Sequence, residues 1–148
     1  MHAMEISRTA LDVEWRRLEI ISQNLANADI AASSKSAPYR EQTLVSGPRG
    51  DFSTYLDPNG SITDGIDIGQ LGGVAEYGVK SGSAAPRLAH EPGNPDADAN
   101  GNVAYPAIDQ ASQMVLLVKT ARAYEANIVA MNTAHEMYSK ALELGNRT

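Results

Sequence analysis

Proline and glycine are confined to the middle of this chain. All seven prolines lie between Pro38 and Pro106, and eleven of the twelve glycines lie between Gly47 and Gly101; the twelfth is Gly145. Both residues break helices, proline by losing a donor and clashing with the preceding turn, glycine through its backbone freedom. Residues 3–28 and 107–144 are therefore free to form long helices, and the middle is not.

The flanks carry the matching periodicity. In the first, Met4, Leu11, Leu18 and Leu25 form one heptad row and Ile6, Val13, Ile20 and Asn27 form another, with Trp15 and Ile21 widening the first. Such a helix is apolar on two adjoining faces, more than a single partner helix requires. In the second, Met114, Leu117, Ala121, Tyr124, Ile128, Met131, His135, Tyr138 and Leu142 recur at alternating spacings of three and four. That is an a/d seam, which favours coiled-coil packing. Pro106 suits its first turn and Gly145 its C′ position.

The middle reads as turns and short strands. "PYREQTLVSG" alternates weakly, "DPNGSITD" is a turn signal, and "NVAY" reads as a strand. "GGVAEYGVKSGSAAP" is too rich in glycine to assign. The expected fold class is thus α+β: long N- and C-terminal helices packed as a coiled coil, with a small β-rich insert between them. The expected divisions are residues 1–29, 30–106 and 107–148. Two readings fit the apolar faces. In one, the insert covers an antiparallel hairpin; in the other, the helices bury their outer faces only in an assembly.

Chemistry is sparse. A net charge of −6 argues against general nucleic-acid binding, which needs a basic face. There is no cysteine, hence no disulfide or thiolate chemistry. The opening residues carry Glu5 and Asp12 without a continuous apolar run, so no cleaved signal peptide is expected. No stretch reaches the roughly 20 apolar residues of a membrane span. "DADANGN", residues 96–102, begins like a calcium loop, but its twelfth position is Ala107 rather than a bidentate Glu. An Asx-rich turn is the simpler reading. His2, His90 and His135 have no metal-ligand spacing, and neither a nucleophile elbow nor a phosphate-binding loop occurs. The expectation is no enzyme, no metal and no cofactor. Arg122 and Glu125, three apart, read as a solvated pair.

Asn24 and Asn27 stand out, because each puts an amide at the end of an apolar helix. They could sit in a frayed, water-exposed last turn. They could instead be buried and set register, because a slipped register would leave a buried amide unsatisfied.

The residues also make a known pattern. "RLEIISQNLANADI" resembles the N-terminal motif of the flagellar axial proteins, the rod, hook and related family. "ARAYEANIVAMNTAHEMYSKALELG" resembles their C-terminal helix, with matching positions at Arg122, Tyr124, Asn127, Asn132, Leu144 and Gly145. "PYREQ" and "EPGNPDADANGNVAYPAIDQASQMV" resemble the proximal-rod, FlgC-type branch. The match departs at Ala107, where that branch usually has Asn, and at Asn94, where it often has His.

The resemblance implies a structural subunit of the bacterial flagellar proximal rod, a hollow shaft that transmits torque and surrounds the export channel. It implies export by the flagellar type III apparatus without a cleaved signal, and assembly in the periplasm with copies of itself, other rod subunits and the adaptor to the motor ring. Terminal helices would form the inner layer and the insert the outer one. The expected subunit-interface residues are Leu11, Leu18, Asn24, Leu25 and Asn27 on the first helix. On the second they are Met114, Leu117, Ala121, Arg122, Tyr124, Asn127, Ile128, Met131, Asn132, Tyr138 and Leu142. The alternatives are another flagellar rod subunit or a non-flagellar helical-hairpin adaptor.

Overall fold

The computed structural model describes residues 2–33, 36–50 and 72–145. Helix α1 spans His2–Asn27 and helix α2 spans Gln110–Gly145. Between them lie four short strands: β1 (Gln42–Pro48), β2 (Val74–Ser81), β3 (Arg87–His90) and β4 (Asn102–Tyr105). They form two two-stranded sheets, β1–β2 and β3–β4. The fold is α+β, as the segregation of proline and glycine requires. "DPNGSITD" lies outside the described residues.

The helix ends follow local chemistry. At 1.5 Å per residue, α1 is about 39 Å long and α2 about 54 Å. Past Asn27 the chain tightens: the Ala28 N–H donates to Leu25 C=O at 3.3 Å and the Ile30 N–H to Asn27 C=O at 3.2 Å. These short-range bonds occupy carbonyls that a helix end leaves without partners. Helix α2 begins at Gln110, later than position 107, and Pro106 lies outside its first turn. The reason is Asp109, which acts as the N-cap. Its Oδ1 accepts the Ala111 N–H at 3.1 Å, and the Ser112 hydroxyl donates to its Oδ2 at 2.5 Å. Hydrogen bonds from Ser112, side chain first and then backbone, hold the Asp109 carboxyl below the usual carboxylate range. Gly145 closes α2 as its last helical residue and lacks the positive φ of a C′ glycine.

Contacts divide the chain into two compact units. Unit 1 comprises Met1–Trp15, Ser46–Tyr77 and Arg122–Thr148; unit 2 comprises Arg16–Val45 and Gly78–Ala121.

Unit 2 holds most of the buried apolar side chains: Ile20, Ile21, Ala28, Ala32, Leu44 and Val103, the last with no exposed surface. The Ala32 N–H donates to Ala104 C=O at 2.8 Å, tying the chain after α1 to β4. Strands β3 and β4 pair antiparallel, Arg87 opposite Tyr105 and His90 opposite Asn102. The Arg87 guanidinium lies 5.0 Å from the centre of the Tyr105 ring. The loop joining the strands is the "DADANGN" segment. One Asp98 carboxylate oxygen accepts the N–H groups of Asn100 and Asn102, at 2.8 and 2.9 Å. Gly101 follows at φ +76°, a conformation that favours glycine. The segment is an Asx-rich turn feeding a strand. Strand β3 had no clear signal, because "RLAH" is too short to show a period.

Unit 1 is tied by Thr9. Its hydroxyl donates to Ile6 C=O at 2.7 Å and accepts the Val74 N–H at 3.1 Å, joining α1 to the first residue of β2. Gly73 makes this approach possible. It sits at φ +81°, and a Cβ there would lie 2.2 Å from Thr9 Oγ1. Val13 is the buried apolar residue of this unit among those described.

Candidate functional site

Helix α1 turns Thr9, Val13, Ile20 and Asn24 fully inward. That row runs at spacings of four and seven, as one helix face requires. The heptad row of Leu11, Leu18 and Leu25 is half-buried beside it.

Helix α2 is unusual. Its two fully buried residues, Gln113 and Thr120, are both polar. Leu117, Ala121, Tyr124, Asn127, Ile128 and Met131 are half-buried. Met114, the first seam residue, is 58% exposed. Toward the C-terminus, Tyr138 and Leu142 are exposed too, together with Val129, Met137 and Leu144. Arg122 and Asn132 are also exposed. Within the chain, then, the inward face of α2 runs through Gln113, Leu117, Thr120 and Tyr124. This face keeps the seam residues Leu117 and Tyr124, but at its start Gln113 takes the inward place and Met114 does not. The apolar residues Met114, Val115 and Val118 face solvent. The fully buried positions of α2 are thus polar ones that apolar periodicity does not register.

Their partner on α1 is Asn24, which is 1% exposed. Its Nδ2 donates to Gln42 C=O at 2.8 Å and to Gln113 Oε1 at 3.1 Å. Its Oδ1 accepts the Gln42 N–H at 2.9 Å and the Tyr39 hydroxyl at 3.1 Å. Both donors and both acceptor positions of the amide are used. Gln113 passes the chain on, its Nε2 donating to Glu41 Oε1 at 2.7 Å. Nearby, Gln110 Nε2 donates to Asp29 Oδ2 at 2.5 Å. Together these contacts run α1 and α2 antiparallel within unit 2. Burial raises the pKa of the Tyr39 hydroxyl, which keeps it a donor.

Asn24 is therefore buried, not frayed. Asn27 behaves differently. It is half-buried, and its Nδ2 donates to Gln23 C=O at 2.7 Å within its own helix. Sequence reasoning singled out Asn24 but missed Gln113 and Tyr39. A glutamine one residue before an apolar seam carries no periodic signal.

In unit 1 the helices meet through aromatics. The Trp15 and Tyr124 rings are 6.3 Å apart and tilted by 49°. Arg122 and Glu125 are both exposed, and Arg16 and Glu19 form an ion pair at that spacing, at 2.6 Å. Among the described residues, no helix is long and apolar enough to cross a membrane. Nor does any group of three or more His, Cys, Asp or Glu side chains among them come together as a metal site would require.

Comparison with known proteins places this architecture. Residues 99–144 match the family described as flagellar basal body rod FlgEFG protein C-terminal. The chain is 36% identical to the flagellar basal-body rod protein FlgC of Salmonella typhimurium, over 98% of this chain and 97% of that protein. It is 34% identical to its counterpart in Bacillus subtilis, over 97% of each. The Borreliella burgdorferi protein is 28% identical, over 96% of this chain and 95% of that one. A protein that buries polar side chains of α2, leaves apolar ones open and matches these relatives almost end to end belongs to the FlgC family of flagellar basal-body rod proteins.

Proposed function

We propose that this chain is a non-enzymatic structural subunit of the bacterial flagellar proximal rod. The observation that carries the reading is the exposed apolar surface of α2: Met114, Val115 and Val118 near its start, and Val129, Met137, Leu142 and Leu144 farther on, all lie open. Apolar surface of this extent marks a place where other chains pack. In this reading residues 1–29 and 107–148 form the inner layer around the export channel, and residues 30–106 form the outer one. The neighbours are copies of the chain, other proximal and distal rod subunits, and the adaptor to the motor ring. The chain reaches the periplasm through the flagellar type III apparatus without losing a signal peptide. The shaft then passes torque by interdigitation of side chains along α2, which resists axial sliding.

The test is Ile128→Asp. Ile128 is half-buried in the chain, one turn past Tyr124. A carboxylate there would be left unpaired when a neighbour covers it. Incorporation into basal bodies and swimming should be lost, while the isolated chain still melts cooperatively close to the parent temperature. Normal motility with normal rod incorporation would refute this part of α2 as an assembly face.

A further inference from the structure

We infer that the Asn24–Gln113 pair sets the roll of α2 at its start, and so decides that Met114 and Val118 face outward there. The argument rests on a choice the helix had. A face turned by one residue, through Met114 and Val118, was available at α2's start, and burying it would remove more apolar surface from water. The structure instead buries Gln113 at 3% and Thr120 at 4% exposure and leaves Met114 at 58%.

Asn24 accounts for the choice. Three of its four hydrogen bonds go to Tyr39 and Gln42, so the amide is held by its own side of the interface. Gln42 contributes both its N–H and its C=O, as a neighbouring strand would. The remaining Nδ2 proton points at α2 and requires an acceptor there. Gln113 Oε1 supplies it. Turning α2 by one residue would present Met114, whose thioether is a weak acceptor. Sliding it one turn would present Leu116 or Leu117, which accept nothing. Sliding the other way brings up Gln110, which breaks its bond to Asp29, or Asp109, whose charged carboxyl would then be buried. Gln113 is itself oriented, because its Nε2 donates to Glu41 Oε1. The polar pair thus selects one roll and one register, and Met114 and Val118 are left outward as a consequence. That these outward residues serve neighbouring subunits rests on the rod reading; the roll itself does not.

The absence of native cysteine allows a direct test on the isolated chain. Single thiols are placed at two positions, M114C on the exposed side and T120C on the buried side. Maleimide labelling is followed in the parent and with Gln113→Leu or Asn24→Leu added. In the parent, position 114 should label fast and position 120 slowly. If the pair sets the roll, either variant should slow labelling at 114 and speed it at 120, each by roughly tenfold, the scale of a local opening. Labelling that rises at both positions would mean the pair only stabilises the fold, and the inference fails. Labelling that changes at neither position would also overturn it. Because no rod is assembled, a failure here is separate from any failure of the rod reading.

Discussion

Along α2, the part inside unit 2 buries Gln113 and Thr120 outright, whereas the described part inside unit 1 buries no side chain outright. The sequence is not less apolar there. Ile128, Val129, Met131, Met137, Leu142 and Leu144 all belong to unit 1. What differs is the rest of each unit. In unit 2, the chain between α1 and β1 and the β3–β4 hairpin bring Ala32, Leu44 and Val103 into a core with α1. In unit 1, the described residues beyond the helices include Val74, whose N–H donates to Thr9. The lesson is that burial of a helix is decided by what the chain provides to cover it, not by its own periodicity alone.

The strongest way to break this comparison is Ile20→Ala. Ile20 is fully buried in unit 2. Removing its outer carbons leaves a cavity in a packed region, and the expected loss is about 3 kcal/mol. Urea unfolding of the isolated chain reads it. A loss below about 1 kcal/mol would mean that the site collapses freely, and unit 2 would no longer count as the packed core.

In unit 1 the sensitive point is backbone, not core. Gly73→Ala would force a side chain into a positive-φ position and against Thr9 Oγ1. The expected cost is about 2 kcal/mol. The same substitution in a Thr9→Ala background sharpens the attribution, since the clash partner is gone. The cost should then fall to that of the strained φ alone, about 1 kcal/mol. Equal costs in both backgrounds would show that Thr9 does not set the approach.

The same contrast explains what was legible beforehand. Helix extents follow from where proline and glycine are absent, and α1 and α2 lie close to the expected limits. The Asx-rich turn at Asp98 was legible because its hydrogen bonds are local. The inward lean of Leu117, Tyr124 and Ile128 was legible, since period 3.5 is a strong signal. The roll at the start of α2 was not. It depends on Asn24, Gln42 and Gln113, which are distant in sequence and meet only in the fold. The start of α2 was misplaced for a smaller reason: Asp109 competes with Pro106 as the start signal, and the capping hydrogen bonds favour Asp109.

The smallest expected effect on the isolated chain carries the most information about the bare arm. Leu142 is 55% exposed in unit 1. Replacing it with Ala deletes three carbons that have little protein around them, so stability should change by no more than about 0.5 kcal/mol. Alanine is also the better helix former, which offsets part of any loss. In an assembly the same carbons would be covered, and rod incorporation in competition with the parent chain should drop. A residue that matters to the assembly and not to the monomer is the signature of a face held in reserve. If Leu142→Ala instead costs the isolated chain 2 kcal/mol or more, as a buried leucine would, then α2's last turns have an intrachain partner in solution. The contrast between the two units would then be one of degree.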